Sequence, residues 1–165
     1  MLSRQPPVQS IHWICSYSIH NLKEPAIEPM LFSALPTDEN ILEHLRPLLE
    51  RVEETTHGEW CQSTIIEMIS AQKLSLLAAV KGGDMVALAG LVTKEYRNGT
   101  KVGRIPFVVG QKRKDWIHLI VLTKKWMIDQ GCNSPGVIEM RPGWERDMKA
   151  HGFKVTHVVA EMELS

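Results

Sequence analysis

The stretch Gly110-Gln111-Lys112-Arg113-Lys114-Asp115-Trp116 places three cations in a row where an apolar-striped segment begins. A helix start presents unpaired backbone N–H groups and the positive end of the helix dipole, so anions collect there. Lys112, Arg113 and Lys114 add charged donors able to grip phosphate oxygens, or they form a solvated face beside the helix. Asp115 suits the N-cap and competes electrostatically with a bound anion. Glu139 stands in an apolar run, Val137-Ile138-Glu139-Met140. A carboxylate buried there is suited to act as a base, whereas one facing outward is an edge charge. His151 adjoins Gly152, where an imidazole either exchanges a proton or caps a helix end. Thr93 and Glu95 alternate on one strand face and could line a substrate. Arg141 could hold an acidic ligand, or pair with Glu139 or Glu145.

Other chemistries are excluded early. The three cysteines, Cys15, Cys61 and Cys132, form no CxxC or CxxxH spacing. That argues against a disulfide framework and against a structural zinc site, so no metal is expected and the thiols read as buried and reduced. Nineteen basic residues balance nineteen acidic ones, so no global field recruits nucleic acid or an anionic membrane. No run reaches the roughly 18 apolar residues of a membrane span, and the N-terminus lacks the apolar core of a signal peptide. The 165-residue length and a 44% apolar, 23% charged composition fit one domain with one core.

The elements that must position these residues follow from periodicity. Residues 1–10 are polar with Pro6-Pro7 and read as an arm; residues 11–19 read as a strand. Pro25 and Pro29 bracket a turn, and residues 30–35 form the next strand. Thr37 or Asp38 caps a helix carrying Ile41, Leu42, Leu45, Leu48, Leu49 and Val52 on one stripe, with Pro47 expected to kink or split it at Arg46. Thr64 to Glu67 fits a capping box that opens a second, short helix. Residues 74–80, 85–96 and 101–109 form a three-stranded antiparallel meander, joined by turns at Gly82-Gly83 and Asn98-Gly99. Residues 115–130 form a helix with Trp116, Ile117, Ile120, Val121, Met127 and Ile128 on one face, ended by Gly131. A short strand at 137–140, a helix at 141–151, stopped by Gly152-Phe153, and a strand at 154–164 complete the chain.

This order, with Gly131-Cys132, then Val137 to Trp144, then Gly152-Phe153, resembles the GNAT acetyltransferase superfamily, and more closely GNAT-like proteins of tailed bacteriophages. The resemblance implies an α/β (α+β) fold with a mixed, mostly antiparallel sheet flanked by helices over residues 30–165, and an N-terminal arm or extension over 1–29. It implies acetyl-CoA or another acyl-CoA as cofactor, with its pyrophosphate on Gln111, Lys112, Arg113, Lys114 and Asp115. Thr93, Glu95 and Arg141 fall on the substrate or ligand side, and Glu139 and His151 are the catalytic candidates. Two small residues of the family's phosphate loop are replaced here by Lys114 and Trp116. Met148 stands where many members carry a tyrosine acid, and a thioether donates no proton. Two functions follow. One is an acyl-CoA-dependent N-acyltransferase of phage type acting on an amine, with degenerate catalysis implied by those departures. The other is a non-enzymatic, virion-associated protein using the same fold for protein partners or self-association. Host cytoplasm or the virion is the implied location.

Overall fold

The computed structural model describes residues 26–139 and 143–156. Its sheet runs in the order β1 (Ile27–Phe32), β2 (Ser75–Lys81), β3 (Asp84–Glu95), β4 (Lys101–Ile105), β6 (Val137–Ile138), while β5 (Val108–Gly110) pairs with β3 further along that strand. Pairing is antiparallel throughout except between β4 and β6. The helices are α1 (Glu39–Thr55), α2 (Gln62–Ser70), α3 (Arg113–Trp116), a 3-10 segment Ile117–Val121, α4 (Leu122–Asp129) and α5 (Glu145–Ala150). This is the mixed, mostly antiparallel sheet flanked by helices that the sequence predicts. The predicted strand at 11–19 and most of the N-terminal arm lie outside the described residues, as do Met140, Arg141, Pro142 and most of the predicted last strand.

Strand alternation divides the core between the two faces of the sheet. Leu76, Ala78, Leu88 and Val109 pack with Leu45, Leu48, Leu49 and Val52 of α1 and Ile65 and Ile69 of α2. Ala79, Ala87, Ala89 and Val108 face the other way, against Trp116, Ile117, Ile120, Trp126, Met127 and Met148. The small alanines leave room for the large indole.

Several local expectations are corrected. Strand β1 starts at Ile27, three residues early, and holds Pro29; at an edge among the described strands, a missing donor is tolerated. Of the two cap candidates, Asp38 is the one that caps α1, accepting from Asn40 N at 2.9 Å. Pro47 does not split α1, because it lies on the exposed face where water can satisfy the freed carbonyl. Helix α2 begins at Gln62 with Cys61 as N-cap, so Thr64 lies inside the first turn. Cys61 and Cys132 are partly exposed free thiols; neither is buried. The Asn98-Gly99 connection has three loop residues: Gly99 N donates to Tyr96 O at 2.9 Å, Tyr96 N to Thr100 O at 2.8 Å, and Gly99 takes φ 81°. That is a type I turn closed by a left-handed glycine.

Two corrections bear on the site. The helix expected over 115–130 is α3, a 3-10 segment and α4 in succession. Its N-cap is Lys112, at φ 48°, with Asp115 inside the first turn. Val121 and Ile128 are 50% and 62% exposed, while Trp116, Ile117, Ile120 and Met127 are buried as expected and are joined inward by Thr123 and Trp126. A 3-10 turn advances 120° per residue against 100° in an α-helix, so five residues rotate the stripe by about 100°. Second, the strand expected over 101–109 breaks at Pro106-Phe107. Pro106 has no N–H to give the ladder. Phe107 O accepts from Gly90 N at 3.0 Å, and the Phe107 ring covers Gly90, where a Cβ would lie 2.5 Å from Cζ. Beyond the break β6 stays with β4, and β5 continues along β3 alone. Among the described residues no strand pairs with the other edge of β5.

Candidate functional site

The edge of β5 that has no strand partner among the described residues opens onto a recess of about 180 Å³. Val108, Val109 and Gly110 form its floor, Arg51 reaches it from α1, Arg113 and Trp116 from α3, and Trp144 from the N-cap of α5. An unpaired strand edge carries alternating N–H and C=O groups, and so can bind an extended amide chain. Trp116 and Trp144 lie with ring centroids 6.0 Å apart, and the Arg113 guanidinium sits 5.0 Å over the Trp144 ring. Arg113 Nε also stands 2.7 Å from Asp147 Oδ2, tying α3 to α5.

The loop before α3 is internally bonded. Gln111 N donates to Val86 O at 3.1 Å, and Gln111 O accepts from Trp116 Nε1 at 2.7 Å. Asp115 N donates to Lys112 O at 2.8 Å, and its carboxylate lies 3.7 Å from Lys81 Nζ at the end of β2. Two of the five residues expected to offer backbone N–H groups to phosphate have therefore committed them. Lys112, the N-cap, and Lys114, in the first turn of α3, are exposed. Trp116 is only 4% exposed and packs over Ala79 and Ala87.

The other sequence-predicted residues lie elsewhere. Glu139 is exposed and paired with Arg104 of β4, with Glu139 N donating to Ile105 O at 3.0 Å. It faces outward, the second of the two orientations its sequence context allows. His151 follows α5, where Nδ1 donates to Asp147 O at 2.7 Å; a carbonyl only accepts, so the neutral ring carries its lone pair on Nε2. Thr93 and Glu95 are exposed at the far end of β3, opposite Gly103 and Lys101, and do not line the recess. Arg141 lies outside the described residues. Met148 is 0% exposed, a core residue. Among the described residues no group of three or more His, Cys, Asp or Glu could hold a metal ion, and no helix is long and apolar enough to cross a membrane.

Arg51 is the lining residue that sequence reasoning passed over. It lies between Leu48 and Val52, at the border of the α1 stripe. A cation there can lay its stem on apolar surface and send its head past the sheet edge. Trp144, expected to be a packing anchor, does pack against the core and also walls the recess.

Among the described residues a mixed sheet splits beside one parallel strand pair, with helices on both faces, and this fold is that of the GNAT acetyltransferases. Among solved structures the chain is similar to the aminoglycoside N-acetyltransferase AAC(6')-Iy in complex with CoA, with a TM-score of 0.64 and 17% identity over 88% of this chain and 99% of that one. It is similar to an acetyltransferase from Trypanosoma brucei, with a TM-score of 0.62 and 17% identity over 84% and 99% of the two chains. It is also similar to a ribosomal-protein-alanine N-acetyltransferase from Brucella melitensis biovar Abortus 2308, with a TM-score of 0.58 and 11% identity over 84% and 100%. No family model and no curated protein matches the chain.

Proposed function

We propose that this protein is an acyl-CoA-dependent N-acyltransferase that works by positioning more than by acid–base assistance. The observation that carries the reading is the β5 edge, without a strand partner among the described residues, over a recess bordered by Arg51 and Arg113. That edge suits the two amides of a pantetheine arm, and the guanidiniums suit the phosphates that follow it. The likeness to the CoA complex of AAC(6')-Iy supports the same assignment. The phrase from Arg141 to Trp144 supports a member of phage type.

Acyl-CoA supplies an activated thioester when bound. The chain's part is to hold the thioester-bearing arm on Val108 to Gly110 and to exclude water with Trp116 and Trp144. Met148 gives no proton to a departing thiolate. A thiol titrates near 8.5, so a thiolate departs without an acid, and orientation of the amine remains the main source of rate. Turnover should therefore be slow. Calorimetric titration of the full chain with CoA and acetyl-CoA tests the reading. Saturable binding of both is expected, and no heat up to millimolar acetyl-CoA would overturn it.

A further inference from the structure

Resting on that reading, we infer that the recess contains a side-chain anion site made by Arg51 and Arg113, which holds a phosphate or carboxylate through its guanidinium groups. Three observations carry it. The two guanidiniums come from elements on opposite sides of the sheet, α1 and α3, and line one recess at the free edge of β5. Among the described residues no carboxylate lines that recess and no ion pair joins Arg51 to an acidic group. Of the five amides that the loop would otherwise offer, those of Gln111 and Asp115 are spent on Val86 O and Lys112 O, so the guanidiniums carry a larger share of any anion contact. An arginine brings five donors in a planar fork, so two of them can bind several oxygens of one anion without any help from the backbone.

Asp147 sets the strength of the site. Its Oδ2 is 2.7 Å from Arg113 Nε, yet that buried Nε makes no well-aligned hydrogen bond. The contact is therefore electrostatic, and a bound anion must share Arg113 with Asp147. Removing the carboxylate's charge should tighten anion binding, whereas removing Arg51 should weaken it. These opposite signs would not arise if both residues were merely structural.

The test is a calorimetric comparison of wild type, Arg51→Ala, Arg51→Lys and Asp147→Asn, titrated with CoA, pantetheine and inorganic pyrophosphate. Each variant is first checked for an unchanged cooperative melt; Arg51 is exposed on α1 and Arg51→Ala should fold. We expect Arg51→Ala to bind CoA and pyrophosphate at least tenfold more weakly, Arg51→Lys to recover part of the loss, and Asp147→Asn to bind both severalfold more tightly. Pantetheine, which has no phosphates, should bind all four proteins alike. That pattern assigns the site to the phosphates of the donor. Arginine-dependent binding of pyrophosphate without CoA binding would keep the anion site and remove the acyltransferase reading. Wild-type CoA affinity in Arg51→Ala would overturn the anion site and leave the acyltransferase reading standing.

Discussion

Trp116 decides more than any other single residue. Its indole fills the space over Ala79 and Ala87, and its Nε1 closes the Gln111 loop at 2.7 Å. Replacing it with glycine removes a large buried apolar area and a hydrogen bond, so Trp116→Gly should cost roughly 3–5 kcal/mol. A thermal melt checks this; a loss near the roughly 1 kcal/mol of an ordinary helix glycine would mean the indole contributes little. At Cys61 the Ser63 and Thr64 hydroxyls, 3.0 and 3.1 Å from Sγ, lower the thiol from an ordinary 9.0 to about 7. The sign follows from the direction. A folded value below the unfolded one adds stability above the unfolded value, and that contribution fades as pH falls through about 7. Alkylation at Cys61, followed by peptide mass spectrometry, should reach half its limiting rate near pH 7, and Ser63→Ala should move that midpoint upward. A midpoint near the ordinary 9.0 would show that the hydroxyls do not hold the thiolate.

Among the elements, the α3, 3-10 and α4 run shows how secondary structure chooses which side chains face inward. Val121 projects outward at 50% exposure, so Val121→Asp should change stability by no more than about 0.5 kcal/mol. Ile120→Asp, one position earlier and buried, should cost several kcal/mol through an unpaired buried charge. Equal effects in chemical denaturation would restore a continuous α-helix. The sequence could not show this register, because the α pattern (116, 117, 120, 121, 127, 128) and the three-residue pattern (117, 120, 123, 126) share Ile117 and Ile120; packing turns Val121 and Ile128 outward and brings in Thr123 and Trp126, while Trp116 and Met127 stay buried. By contrast, the β2–β3 hairpin was legible, because Gly82 and Gly83 both take the positive φ that a tight turn needs, 59° and 93°. The free edge of β5 was half legible. Pro106 was a visible breaker inside an apparent strand, but the consequence, one half following β6 and the other left alone, depends on tertiary pairing. Arg51 was illegible as a lining residue because nothing local distinguishes it from the other charges of α1.

At the scale of the molecule, zero net charge hides a division. Residues 38–70, which carry α1 and α2, hold eight acidic and two basic residues, −6, whereas residues 101–125 hold seven basic and one acidic, +6. The recess lies where the two meet, floored by β5 from the basic segment and reached by Arg51, one of only two bases in the acidic one. An anionic donor approaching the basic segment is attracted before contact, and a cationic amine is attracted by the helical layer opposite. The two fields oppose each other at long range, so their effect is confined to the near approach, within roughly one Debye length, about 10 Å at 0.1 M salt. The CoA association rate in stopped-flow should therefore fall severalfold between low salt and roughly 0.2 M, despite the neutral chain. The dissociation rate should change less, because contacts inside the recess are screened less than exposed charges. Lys112→Glu with Lys114→Glu, exposed and away from the recess lining, should flatten the salt dependence of the on-rate while leaving pantetheine affinity unchanged. A salt-independent on-rate in wild type would show that the two charged halves cancel even at contact distance and that the recess finds its ligand by diffusion alone.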